Sequence, residues 1–233
     1  MFNKRNLPDL PSREVFTDNT TILGTGAKGK PLYSVTPMVF GEPPTNYSEF
    51  ESDGTLVAHG SATTWTDVDF PIIIRTIGPN IPTLTAIQGN ILVPQWAEDD
   101  FSNCEGQELV HGWKEGSTIY WHVHVVTNGT DVTDRYLRWE IEWVWANPNN
   151  QLSSTIITDS GDIIIPANTP AKTHVMQQVS SYPLIGGIIT GHIYARLKRI
   201  VSTGAAPTNN PWCSMLQIHL ELDTNGSRDI SSK

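Results

Sequence analysis

The sequence predicts an all-β fold: an antiparallel β-sandwich, jelly-roll-like, with an extended N-terminal arm. Three observations lead there. From about residue 60 onward, apolar and polar residues alternate with a period of two in segment after segment, the pattern of strands with one buried face. Gly, Pro and Asn punctuate those segments, as they do where turns join strands. Helical periodicity is nearly absent, and "QWAEDDFSNCEG" (95–106) offers one short turn at most.

Residues 1–60 form the arm and residues 61–233 the sandwich domain. In the arm, "ILGTGAKGKP" (22–31) and "FGEPPTNYSEFESDG" (40–54) read as loop. A segment this long and irregular cannot bury enough apolar surface alone. Its apolar side chains Phe16, Ile22, Leu32, Tyr33, Val39 and Phe40 are expected to dry against a partner surface, which makes Phe16, Tyr33 and Phe40 interface candidates.

The domain opens on "SATTWTDVDFPIIIRTI" (61–77). "STIYWHVHVV" (117–126) is continuous strand former, and "RYLRWEIEWVWA" (135–146) alternates cleanly. Leu137, Trp139, Ile141, Trp143 and Trp145 share one face of the latter, with Arg138, Glu140 and Glu142 on the other. The link "TNGTDVTD" (127–134) contains Asn-Gly and is expected to fold these two strands into a hairpin. "STIITDSGDIIIPA" (154–167) reads as a second hairpin turning at "DSGD", and "GGIITGHIYARLKRIVS" (186–202) as one long strand. In "SMLQIHLELD" (214–223), Leu216, Ile218, Leu220 and Leu222 point inward, and Gln217, His219 and Glu221 outward.

Composition narrows the function classes. A formal charge of −9 and the lack of a basic stripe argue against nucleic acid as a partner. "ARLKR" (195–199), the densest basic run, reads as one face of a strand. No run approaches the roughly 18 apolar residues of a membrane span, and the first residues show no signal peptide. Synthesis in a cytoplasm is expected, with Cys104 and Cys213 as reduced thiols.

His122 and His124 are the sharpest chemical feature. Two residues apart on a strand, they point the same way. Gly116 followed by His122-Val123-His124 resembles the start of a cupin metal motif. However, Asn128 and Gly129 stand where the motif's Glu belongs, and Pro166 and His174 only loosely match its second half. Glu140 or Glu142 would have to supply the carboxylate from the neighbouring strand. Two imidazoles without a carboxylate are an incomplete zinc or iron site, so no metal and no cofactor is expected, with His122 and His124 the weak candidates.

The preferred reading is a hydrogen-bonded polar seam in which Tyr120, His122 and His124 face solvent, a cavity or a partner while Ile119, Trp121, Val123 and Val125 face the core. A subunit interface would suit the seam, with Glu140 a further interface candidate. Catalytic residues are not indicated. No G-x-S-x-G occurs, and Glu140/Glu142, Asp67/Asp69 and Asp99/Asp100 read as solvated acidic pairs.

Three stretches together resemble a family of tailed-bacteriophage virion proteins. "TTWTDVDFPI" (63–72) is similar to the family's Trp-x-Asp strand, and "LVHGWKEGSTIYWHVH" (109–124) to its H-x-W-K-E-G-[ST]-x-I-x-x-H-[IV]-H core. "IHLELDTNGSRD" (218–229) is similar to its closing H-x-x-x-D-[TS]-x-G-S-R signature. The resemblance covers about residues 60–233. It departs around the histidines, where Trp121 precedes His122 and Val125 follows His124.

It implies a non-enzymatic virion structural protein, a trimeric β-sandwich. Such a protein serves as head decoration, head fibre or tail or baseplate appendage, beside other capsid or tail subunits. The alternatives are a carbohydrate- or receptor-binding module of a tail fibre, reaching a host surface glycan, and, third, a cupin-type metal enzyme.

Overall fold

The computed structural model describes residues 14–15, 22–24, 33–34, 38–51, 55–74 and 79–226. Phe16 and Leu32 lie outside the described residues, as do the side chains of Ile22 and Tyr33 and the end of the third motif, Ser227 to Asp229. The described residues contain no helix, and so none long and apolar enough to cross a membrane. The protein is all-β, and the strands paired among the described residues are antiparallel. The chain divides into two compact units, residues 1–63 with 223–225 and residues 64–222 with 226–233.

In the first unit, β1 (Glu14–Val15), β2 (Ile22–Gly24) and β3 (Tyr33–Ser34) pair in that order. β4 (Met38–Glu42), β5 (Asn46–Phe50) and β6 (Leu56–His59) form a second small sheet. The loop expected over 40–54 is therefore largely a hairpin. Pro43 and Pro44 fall in its turn, where they remove no ladder donor. Gly41 has φ +119°, and a Cβ there would lie 2.5 Å from the Asn46 carbonyl oxygen, so the close crossing needs glycine. Phe40 sits edge-on to Phe50, their centroids 6.4 Å apart.

The second unit is a sandwich built on one continuous strand path. It contains β7 (Thr64–Ile73), β8 (Thr83–Gln88), β9 (Ile91–Gln95), β10 (Phe101–Cys104), β11 (Gln107–Glu108) and β12 (Thr118–Val126). It continues with β13 (Arg135–Ala146), β14 (Ile157–Ile165), β15 (His174–Pro183), β16 (His192–Ile200) and β17 (Trp212–Leu222). The order is β14-β13-β16-β10-β7-β17-β12-β15, with β8, β9 and β11 off the path.

β7 turns the corner. Its residues 64–71 pair with β17, while Ile72 and Ile73 pair with β10. The inner faces of the two halves share one core. Trp121 on β12 packs against Phe70 and, across the layers, against Trp143 on β13, at 5.2 and 5.6 Å between centroids. Trp139, Ile141 and Trp143 are at most 1% exposed, whereas Arg138 and Glu140 lie half-buried on the opposite face.

Four local expectations change. β12 pairs with β15 and β17, and β13 with β14 and β16, so 127–134 is a crossing between layers and not a hairpin. "DSGD" does not turn, because β14 runs straight through it. Gly161 lies where β15 approaches, and a Cβ there would be 2.1 Å from the Val179 carbonyl oxygen; it serves close approach, the other use of glycine in a strand. The strand expected over 186–202 begins only at His192, after turns that hold Gly186 and Thr190 at positive φ. Within β16, Arg199 turns inward and is 3% exposed. Its guanidinium donates to the Trp96 carbonyl and to Asn210 Oδ1, which satisfies a buried cation locally.

The two end strands of the path meet through a side chain. The Gln177 amide on β15 donates to the Ile164 carbonyl at 3.0 Å and accepts from the Ile164 N–H at 2.9 Å. Cys104 and Cys213 are free and buried, and burial pushes the Cys104 thiol up to about 12.

Candidate functional site

The polar face of β12 does not stand alone. β17 pairs with both β12 and β7, so β7, β17, β12 and β15 are four adjacent strands with one common outer face. Period-two alternation puts Trp65, Asp67 and Asp69 on that face from β7, and Gln217 and His219 from β17. β12 contributes Tyr120, His122 and His124, and β15 contributes His174, Met176 and Gln178. The opposite face of the same strands, Phe70, Leu216, Ile218, Trp121 and Val123, is core. The ladder shifts register beside His122 on the β15 side and beside His124 on the β17 side, and such bulges re-aim side chains.

Two hydrogen-bonded rows cross this face. In the first, Asp67 Oδ1 lies 3.2 Å from His122 Nε2 and 2.7 Å from His219 Nδ1. A carboxylate only accepts, so both rings present their N–H to the same oxygen. Burial opposes ionisation of Asp67, but the His219 hydrogen bond and the charges of His219 and His122 outweigh it and hold the carboxyl below its usual range. His122 is 6% exposed, and burial holds its imidazole below the ordinary value against the pull of Asp67. Its Nδ1 is buried and has no hydrogen-bond partner among the described residues.

In the second row, Gln217 donates its amide to Asp69 Oδ1, which fixes the amide's orientation. Gln217 Oε1 then accepts from His124 Nε2. His124 Nδ1 must therefore accept from His174 Nε2, at 2.9 Å. Burial also lowers the His124 imidazole. The row is directional, running from His174 through His124 and Gln217 to Asp69 across four strands. Gln217 points outward, as the alternation of its strand predicts, yet is only 8% exposed, with Asp69 and His124 bonded to it in the row.

Above the first row lies an open groove of about 470 Å³ lined by Trp65, Asp67, Tyr120, His122, Met176, Gln178 and His219. Trp65 stacks on His219 and meets Tyr120 edge-on. A depression of similar volume, about 480 Å³, lies beside β10 and β16. There Arg196 pairs with Glu142 at 2.7 Å and rests over the Phe101 ring.

The structure therefore joins His122 and His124 into one polar face but gives them different partners. Glu140 and Glu142 are not their neighbours, because β13 lies in the other layer. The carboxylate that meets the histidines is Asp67, and Asp69 reaches His124 through Gln217; both read in the sequence as a solvated pair. Their signal was present in the alternation of 65, 67 and 69 against 217 and 219, but the pairing of β7 with β17 spans most of the chain.

No protein-family model matches this chain, and no curated protein matches it. Among solved structures, one described as "Structure of infectious bursal disease virus Gt strain" is similar at 9% identity over 96% of this chain and 53% of that one, with a TM-score of 0.14. The chain thus spans about half that structure's length, and a likeness this low carries no argument.

Proposed function

We propose that the protein is a non-enzymatic structural component of a tailed-phage particle, assembling as a homotrimer that decorates the head or forms a head-fibre, tail or baseplate appendage. One observation carries the reading. The three segments that resemble such proteins lie far apart in sequence, yet their strands β7, β12 and β17 are neighbours in one sheet. Their polar residues Asp67, His122, His124 and His219 meet on one outer face. A resemblance spread over unrelated positions would not be expected to converge in this way.

Exposed apolar side chains support association: Leu84, Ile91 and Leu92 on the β8–β9 hairpin, and Ile185, which is 80% exposed. Phe40, at 55% exposed, is the member of the arm's interface candidates whose side chain is described. Light scattering on the full chain is expected to give three times the chain mass, and antibody labelling of particles a regular array on head or tail. A monomer that labels no particle would defeat the proposal.

A second reading is favoured by the groove. Trp65, 47% exposed, and Tyr120 line it beside Gln178 and Asp67, which is the mix of aromatic surface and polar groups that sugars bind. Host-surface glycan binding that is lost on Trp65→Ala would establish this reading as the module's role.

A further inference from the structure

We propose that Asp67, His122 and His219 bind a first-row divalent cation of the Zn²⁺ class, with one coordination position open to the groove. The inference stands apart from the particle assignment. It rests on a ligand set that the His122/His124 spacing did not reveal. The missing carboxylate comes from β7 and the second imidazole from β17.

The geometry fits an ion of this size. Asp67, His122 and His219 each offer a ligand atom, all within 4.8 Å of one another, and Asp67 Oδ1 lies 3.2 Å from His122 Nε2 and 2.7 Å from His219 Nδ1. An ion with bonds of about 2.0–2.2 Å places tetrahedral ligand atoms roughly 3.3 Å apart. Seating it widens the Asp67–His219 contact by roughly 0.6 Å and draws in the two imidazole nitrogens, which lie at most 4.8 Å apart.

The sheet supplies the rigidity. His219 is directly opposite Asp67 in the β17–β7 ladder and directly opposite Tyr120 in the β17–β12 ladder. Ligands on paired strands are held more closely than ligands on loops. Trp65 stacked on His219 further fixes that ring.

Ligand chemistry selects the ion. Two imidazoles and one carboxylate suit zinc, cobalt, nickel or iron(II), and suit calcium and magnesium poorly. His124 is excluded, because both its nitrogens are engaged, with His174 and with Gln217. His122 is the buried member and carries an unpartnered Nδ1. On binding, its ring proton moves from Nε2 to that Nδ1, and the proton of His219 moves from Nδ1 to Nε2, so the Nε2 of His122 and the Nδ1 of His219 become free to ligate. The remaining position points toward Trp65, Tyr120, Met176 and Gln178, where water or an oxygen donor from the groove's occupant completes the shell. The ion would cross-link β7, β17 and β12 at the centre of the sheet.

The test uses untagged full-length protein, stripped with chelator and titrated with ZnCl₂ by calorimetry. The expected result is one Zn²⁺ per chain, a raised melting temperature, and a loss of affinity of at least about 100-fold in Asp67→Asn and in His219→Asn. Both of those positions are half-exposed, so neither substitution opens the core. His192→Gln, remote from the cluster in sequence and on the other layer, is expected to bind as the parent does. Co²⁺ added to the parent protein should give the visible absorption of a four- or five-coordinate ion. No saturable binding, or binding that survives both Asp67→Asn and His219→Asn, overturns the proposal. So does a Co²⁺ complex with only the faint spectrum of the hydrated ion.

Discussion

Trp65 lies flat against His219, with ring centroids 4.8 Å apart and planes 4° from parallel. The stack joins β7 to β17 on the outer face and leaves the indole 47% exposed. Trp96, Trp113, Trp121, Trp139 and Trp143 are at most 1% exposed. Acrylamide should therefore quench a component of the tryptophan emission that Trp65→Phe removes. An unchanged quenching curve in the variant would place Trp65 under cover. The aromatic pair itself is worth about 0.5–1.5 kcal/mol, so Trp65→Ala should lower stability by no more than a small amount.

Trp143 tests the core. It is 1% exposed, packs on Trp121 and Tyr182, and donates its Nε1–H to Asp159 at 2.9 Å. Trp143→Ala should cost about 3–5 kcal/mol in equilibrium urea unfolding. A loss below about 1 kcal/mol would mean that the face is assigned wrongly.

Gln177 tests the meeting of the two end strands. Its amide replaces a strand's own N–H and C=O opposite Ile164. Gln177→Ala should destabilise by about 1–2 kcal/mol and speed hydrogen exchange at the Ile164 amide more than at Ile163. Equal protection of Ile164 in both proteins would show that the bridge contributes nothing.

Asp131 gives a pH dependence away from the histidines. The Thr208 hydroxyl and backbone N–H, with Arg135 beside it, hold its carboxyl below the usual range against a smaller opposing effect of burial. A depressed carboxyl contributes stability that is present above the ordinary carboxylate value and is lost as pH falls through the folded-state value. Asp131→Asn should thus be less stable than the parent at pH 7, with the gap closing below about pH 4. A gap that is constant with pH would assign the effect to shape instead of charge.

The strands themselves were legible. β13 spans the twelve residues of its alternating run, and Leu137, Trp139, Ile141 and Trp143 face inward as the period requires. What the sequence hid was partnership. Asn-Gly at 128–129 signals a turn whether it joins paired strands or leads between layers, and only the ladders of β12 and β13 decide. Gly161 likewise signals either a bend or close packing, and the answer lies in Val179, which is distant from it in the chain. The candidate site was half legible for the same reason. His122 and His124 announce themselves by proximity in sequence, whereas Asp67 and His219 join them only through β17.

The Gln177 bridge and the contact of Gly161 with Val179 also govern how this unit meets other chains. A strand with open main-chain groups along one side is a template for pairing with a foreign strand. Here β14 and β15, the last strands at either end of the path, close on each other at Ile164, whose main-chain groups go to Gln177, and at Gly161, which lies against Val179. A foreign strand arriving at Ile164 would find that residue's N–H and C=O already taken. Among the described strands β8 pairs with β9 alone, so the outer side of β8 is where the unit still offers an edge of the kind that a foreign strand can extend.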